Sequence, residues 1–201
     1  MLRVGLTGGL ACGKSFVAQT LASLGCHVIQ ADELGHSVLL PDGEAYRPVL
    51  DEFGDGILDE RGFIDRRKLA AHVFDDAEKL KRLSSIVHPA VAQQQKLIVD
   101  ELEKTDPDGI VVVEAAILVE TGSYRRFDRL IVVACSEQQQ VERAMHRDAY
   151  TREEVLARLN RQLPLEEKKR VAHYVIDTSG TKHRTVEQTR QVYESLRSLS
   201  T

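Results

Sequence analysis

At 201 residues the chain is long enough for one domain with a substantial core and a helical insertion, and its 42% hydrophobic and 29% charged residues are a soluble globular balance. A net charge of −4 excludes a surface built broadly to hold nucleic acid or an acidic membrane. Three cysteines, Cys12, Cys26 and Cys135, are too few and too odd in number for a disulfide framework. No run approaches the ~18–20 apolar residues of a membrane span and the start does not read as a signal peptide, so the expected location is the cytoplasm.

Leu2 to Thr7 opens a series of short Val- and Ile-rich runs, followed by His27 to Ala31, Ile110 to Glu114, Leu130 to Ala134 and Tyr174 to Asp177. Apolar residues on consecutive positions predict strands covered on both faces, hence a parallel α/β sheet. The first run leads into Gly8-Gly9-Leu10-Ala11-Cys12-Gly13-Lys14-Ser15, which fits the G-x-x-x-x-G-K-[ST] phosphate loop. A helix is predicted from Lys14 to Leu24, with Gly25 as its stop. Strand, loop and helix are the order the chemistry needs. Glycines let backbone N–H groups wrap a β-phosphate, and a helix N-terminus adds positive charge. Lys14 is expected on the β- and γ-oxygens and Ser15 on Mg²⁺. Gly9 to Phe16 are the candidate ATP-binding residues (Gly9, Leu10, Ala11, Cys12, Gly13, Lys14, Ser15, Phe16). Cys12, beside Lys14 and the helix start, is expected to be a reactive thiol.

Asp32 follows the second strand run, at the edge where parallel sheets collect ligands. It suits a carboxylate that orients or deprotonates a hydroxyl, one that holds magnesium through water, or a helix cap. From Asp32 to Lys104 no strand signal appears. More than the dozen or so residues a crossover needs, this predicts a helical subdomain, with Pro89 opening a long helix through Val99 and Leu102. The third strand run ends at Glu114, placed for the magnesium shell through water, and Glu120 is read as positioning neighbouring chain. Asp32-Glu33-Leu34-Gly35 spells the D-x-x-G of GTPases, but N-K-x-D is impossible because the only asparagine, Asn160, is followed by Arg161.

Arg143, His146 and Arg147 share a helical face, and eight Lys/Arg with six Asp/Glu lie between Val141 and Arg170. After a phosphate loop and a fourth strand, such an arginine-bearing helical segment is expected to be a lid that brings cations to the γ-phosphate; a solvated, ion-paired face is the plain alternative. A last helix is predicted over about Val186 to Leu199.

The chain resembles the dephospho-CoA kinase family along nearly its whole length. The resemblance rests on Leu6-Thr7-Gly8-Gly9 with Gly13-Lys14-Ser15, Val28-Ile29-Gln30-Ala31-Asp32, Phe53-Gly54, and Gly62-Phe63-Ile64-Asp65-Arg66 with Leu69 and Val73-Phe74. It continues through Ile86-Val87-His88-Pro89, Gln140 to Arg143 with Arg147-Asp148, Arg158 with Gln162, and Tyr174 to Asp177 with Ser179-Gly180. Two departures stand out: Glu114-Ala115-Ala116-Ile117-Leu118 replaces the usual Pro-Leu-Leu segment, and Phe16 replaces a Thr.

The resemblance implies transfer of the γ-phosphate of ATP to the ribose 3′-hydroxyl of dephospho-CoA, giving CoA and ADP, with Mg²⁺ and no tightly bound organic cofactor. It implies a five-stranded parallel sheet similar to nucleoside monophosphate kinases, a helical CoA-binding domain and a lid. The corresponding boundaries are 1–31, 105–136 and 171–201 for the nucleotide core, 32–104 for the substrate domain and 137–170 for the lid. Asp32, Lys14, Arg143 and Arg147 become the catalytic set, and Thr7, Asp32, Arg66, His88 and Glu114 the substrate side. The expected partners are ATP and dephospho-CoA, neither nucleic acid nor membrane, with a monomer expected and a homo-oligomer as the alternative. Rival readings are another small-molecule kinase of this architecture and a non-catalytic ATP-binding regulator.

Overall fold

Five short runs rich in Val and Ile pair into one parallel sheet in the computed structural model, which describes residues 1–73, 76–148 and 150–200. In chain order, β1 (Leu2–Gly8) leads to α1 (Lys14–Ser23), β2 (His27–Gln30) to α2 (Ala31–Ser37), and then come α3 (Tyr46–Phe53), α4 (Arg66–Val73) and α5 (Ala77–Thr105). The chain returns to the sheet with β3 (Ile110–Glu114) and β4 (Arg129–Ala134), and continues with α6 (Glu137–Asp148), α7 (Arg152–Leu159) and α8 (Leu165–Arg170). It ends with β5 (Tyr174–Asp177) and α9 (Lys182–Arg197).

The strand order is β2-β3-β1-β4-β5, so β1 lies at the centre between β3 and β4. Leu6 pairs with Glu114 on one side, and Gly8 pairs with Val133 on the other. The chain moves to one side of β1 for β2 and β3 and to the other for β4 and β5. The loop after β1 therefore emerges at the switch point, where parallel sheets open a crevice at their carboxyl ends.

Two compact units result, Met1–Gln30 with Glu103–Thr201, and Ala31–Leu102. In the first, Val4, Leu6, Val112, Ile131, Val133 and Ile176 of the sheet pack with Val17, Leu21, Val192 and Leu196 of α1 and α9. A second cluster packs Leu10 and Ala11, at the tip of the loop after β1, with Val141, Ala144 and Val155 of α6 and α7. The other unit has its own core around Val38, Tyr46, Val49, Ile57, Leu69 and Ala90.

The strand positions agree with the sequence reading to within a residue. The long helix does not start at Pro89, which lies inside α5. Leu83, Ile86, Val87, Ala90 and Val91 all pack on the second core, an i, i+3, i+4, i+7, i+8 stripe running straight through the proline. Burying that stripe outweighs the one backbone hydrogen bond that proline removes. Phe74, part of the Val73-Phe74 element, lies outside the described residues. No helix of the described residues is long and apolar enough to cross a membrane.

Candidate active site

The loop between β1 and α1 is shaped by steric need. A Cβ on Gly8 would lie 2.2 Å from the Val133 carbonyl oxygen, so close pairing with β4 demands glycine there. Gly13 has φ 83° and Ala11 φ 53°, so the chain turns through two left-handed residues before α1 begins. Phe16 and Val17 donate their N–H groups to the Gly13 carbonyl, which starts α1 without a side-chain cap. Lys14 arches back over the loop, its Nζ donating to the Gly9 carbonyl at 3.1 Å.

Ser15 Oγ donates to Glu114 Oε1 at 2.9 Å, which joins the first turn of α1 to the end of β3. Glu114 is 8% exposed. A hydroxyl and a buried carboxylate are hard oxygen donors of the kind magnesium prefers when it arrives with phosphates and keeps most of its waters. These residues therefore fit a Mg²⁺ ion.

Thr178, just past β5, ties the loop to the rest of the unit. Its hydroxyl lies 2.8 Å from the Cys12 carbonyl, to which it donates, and it receives Nη1 of Arg143 at 3.2 Å. Arg143 Nη2 donates to the Thr178 carbonyl at 2.7 Å. Arg143 is thus half-buried and engaged, not displayed on an open lid surface, whereas Arg147, one turn on, is exposed. Sequence spacing puts both on one helix face but cannot show that β5 ends against the first of them. Arg158 stacks over the Tyr150 ring, 4.2 Å from its centroid. A cleft of about 710 Å³ opens beside the loop, its lining including Gly9, Cys135, Gln140, Asn160, Asp177 and Ser179.

Thr7, expected on the substrate side, is fully buried and its hydroxyl donates to the Ala116 carbonyl at 3.1 Å, so it braces the segment after β3. Asp32 is exposed in the first turn of α2, inside the helix and not at its cap. Arg66 is exposed at the start of α4, where Asp65 Oδ1 accepts the N–H groups of Arg67 and Lys68. His88 is exposed in the interior of α5, not at a helix start.

The Cys12 pKa is lowered as expected, but its chief cause is a neighbour the sequence did not point to, and the thiol is not accessible. A hydrogen bond from the Cys135 thiol, Sγ to Sγ 3.3 Å, is the chief influence drawing Cys12 down to about 7, with the Lys14 charge assisting against burial. Burial pushes Cys26 up to about 12. Cys12 is 0% exposed, so reagents reach it only when the loop opens. The Cys12 thiolate grows as pH rises through about 7 while Cys26 stays almost wholly protonated, so maleimide alkylation of Cys12 is expected to speed up about 10-fold from pH 6 to 8 and to outpace Cys26 throughout, with protection by Mg-ATP. Equal labelling of the two at pH 8, read by mass spectrometry, would contradict this.

Comparison with known proteins agrees with this geometry. The dephospho-CoA kinase family model matches residues 2–183. A dephospho-CoA kinase of Aquifex aeolicus is 44% identical over 196 residues, covering 98% of both chains. A solved Thermus thermophilus structure superposes with a TM-score of 0.83 at 32% identity, covering 96% of each chain. The dephospho-CoA kinase of Campylobacter jejuni superposes with a TM-score of 0.74 at 26% identity, covering 99% of this chain and 98% of its own. A phosphate loop at the centre of a five-stranded parallel sheet and a family match spanning almost the entire sequence lead to one conclusion: this chain belongs to the dephospho-CoA kinase family.

Proposed function

We infer that this protein catalyses transfer of the γ-phosphate of ATP to the ribose 3′-hydroxyl of dephospho-CoA, giving CoA and ADP. The observation that carries the reading is the joined set of Lys14, Ser15 and Glu114 around a phosphate loop, in a chain that the family model matches from residue 2 to 183.

In this reading the backbone N–H groups of the loop and of the first turn of α1 hold the β-phosphate, and Lys14 leaves the Gly9 carbonyl to bridge the β- and γ-oxygens. Ser15 would hold Mg²⁺, and Glu114 would hold it through water. When bound, the ion neutralises charge that develops on the transferring phosphate. The cleft beside the loop takes the nucleoside part of ATP. Asp32 orients the acceptor hydroxyl or accepts its proton. Arg143 and Arg147 of α6 supply cationic charge, Arg143 mainly by bracing the loop through Thr178 and Arg147 toward the γ-phosphate. The 137–170 segment acts as a lid, and the helical unit, with Arg66 and His88 on exposed surfaces, takes the CoA side. Three free cysteines suit a reducing cytoplasm.

ADP release from Mg-ATP is the direct test. Release is expected to be fast with dephospho-CoA and near background without it, or with AMP, shikimate or gluconate in its place. Turnover on one of those acceptors but not on dephospho-CoA would move the protein to another kinase activity. ATP binding with no acceptor-dependent turnover would make it a regulator.

A further inference from the structure

Lys168 is fully buried, the bulkiest side chain among the described residues to be so. It sits in α8 directly before Lys169, paired with Glu166 at 2.7 Å, and Arg170, paired with Glu167 at 2.6 Å, both ordinary surface pairs one turn apart. Lys168 points the other way. Its Nζ lies 2.6 Å from Glu120 Oε1, 3.1 Å from the Ala116 carbonyl and 3.5 Å from the Gly8 carbonyl.

These acceptors belong to parts that meet at the phosphate site. Gly8 closes β1 and is the last residue before the loop's first N–H, that of Gly9. Ala116 lies two residues past Glu114, and its carbonyl also receives the Thr7 hydroxyl. Glu120 Oε1 additionally accepts the N–H of Leu163, in the connection between α7 and α8. One ammonium, itself carried near the end of the 137–170 segment, thus touches the base of the phosphate loop and, through Ala116 and Glu120, the segment beyond the carboxylate bonded to Ser15, and Glu120 in turn holds Leu163 of the 137–170 segment. Surface packing does not require this. A charge is kept out of water only where its partners repay its lost hydration, and here they are a carboxylate and two carbonyls.

The carbonyl contacts have a directional consequence. C=O and N–H of a planar trans peptide point in opposite directions, and the described chain has no cis bonds. A Gly8 carbonyl drawn toward Lys168 aims the Gly9 N–H away from it, and the Ala116 carbonyl likewise sets the Ile117 N–H.

We propose that Lys168 is a positioning residue for phosphoryl transfer, fixing the base of the phosphate loop and the segment after β3 relative to the root of the lid. This rests on the function proposed above. Lys168 touches no reacting atom in this scheme; it acts through Gly8, Ala116 and Glu120.

The test separates positioning from plain stability. Lys168→Met keeps the stem but strands the Glu120 carboxylate, and Tm is expected to fall by about 10 °C. Lys168→Met with Glu120→Gln removes the stranded charge and leaves an acceptor for Leu163, so most of that loss is expected to return. The double variant is assayed at a temperature where circular dichroism shows it folded. There, kcat with dephospho-CoA is expected about 10-fold or more below wild type, and the Mg-ATP Kd by calorimetry about 10-fold weaker. Both values within twofold of wild type would overturn the assignment and leave Lys168 a packing residue. A wild-type enzyme that turns over no dephospho-CoA would refute the proposed reaction instead, and the Mg-ATP Kd comparison would still decide Lys168.

Discussion

An Asp32→Asn enzyme is expected to turn over about 10²-fold or more slowly than wild type, with Mg-ATP binding nearly unchanged. Asn keeps the size and a hydrogen-bonding oxygen but cannot accept a proton or carry charge. The position supports a chemical role over a structural one. Asp32 is exposed, in the first turn of α2, two residues beyond the end of β2 at the carboxyl edge of the sheet. It does not cap the helix, so the substitution removes no capping hydrogen bond, and the helix loses only the modest attraction between a first-turn carboxylate and the helix dipole, typically about 0.3–1 kcal/mol. Melting temperature should therefore move little while kcat collapses. Near wild-type kcat would leave Asp32 as a helix-start acid and return the choice of base to another group.

The parts of this protein written plainly in the sequence are those whose physics is local. Val111-Val112-Val113 can only be a strand covered on both faces, and the sheet places it beside β1. Gly8 and Gly13 announce a loop because no other residue fits the pairing with Val133 or a φ of 83°. What stayed hidden depends on partners far along the chain. Lys168 is one of three consecutive basic residues, and nothing in that run marks which one faces inward. Its acceptors lie 48 and 52 residues away at Glu120 and Ala116 and 160 away at Gly8. Thr178 likewise reads as the residue after a strand, while its bond to the Cys12 carbonyl spans 166 positions. The course of α5 through Pro89 is a different case: the apolar stripe from Leu83 to Val91 was present in the sequence, and the proline's local preference concealed it.

The two arginines of α6 are expected to divide bracing from chemistry. Arg147→Ala is expected to lower kcat about 10²-fold, the scale of one lost cationic or hydrogen-bonding contact to a developing charge. Because Arg147 is exposed, its Tm is expected to fall less than that of Arg143→Ala. Arg143→Ala should behave differently. It removes two bonds to Thr178, at 3.2 and 2.7 Å, and Thr178 is the residue whose hydroxyl holds the Cys12 carbonyl at 2.8 Å. Loosening that chain disturbs the loop before any γ-phosphate arrives, so the Mg-ATP Kd should weaken along with kcat, and Tm should fall measurably. Lysine at either position is expected to rescue poorly. One ammonium cannot span the Thr178 hydroxyl and carbonyl as a planar fork does, and it matches phosphate oxygens less well. Steady-state kinetics, calorimetry and thermal melts on the single and double alanine variants read all of this. An unimpaired double variant would remove both arginines from the chemistry; a Kd loss in Arg147→Ala equal to that in Arg143→Ala would merge the two roles into one.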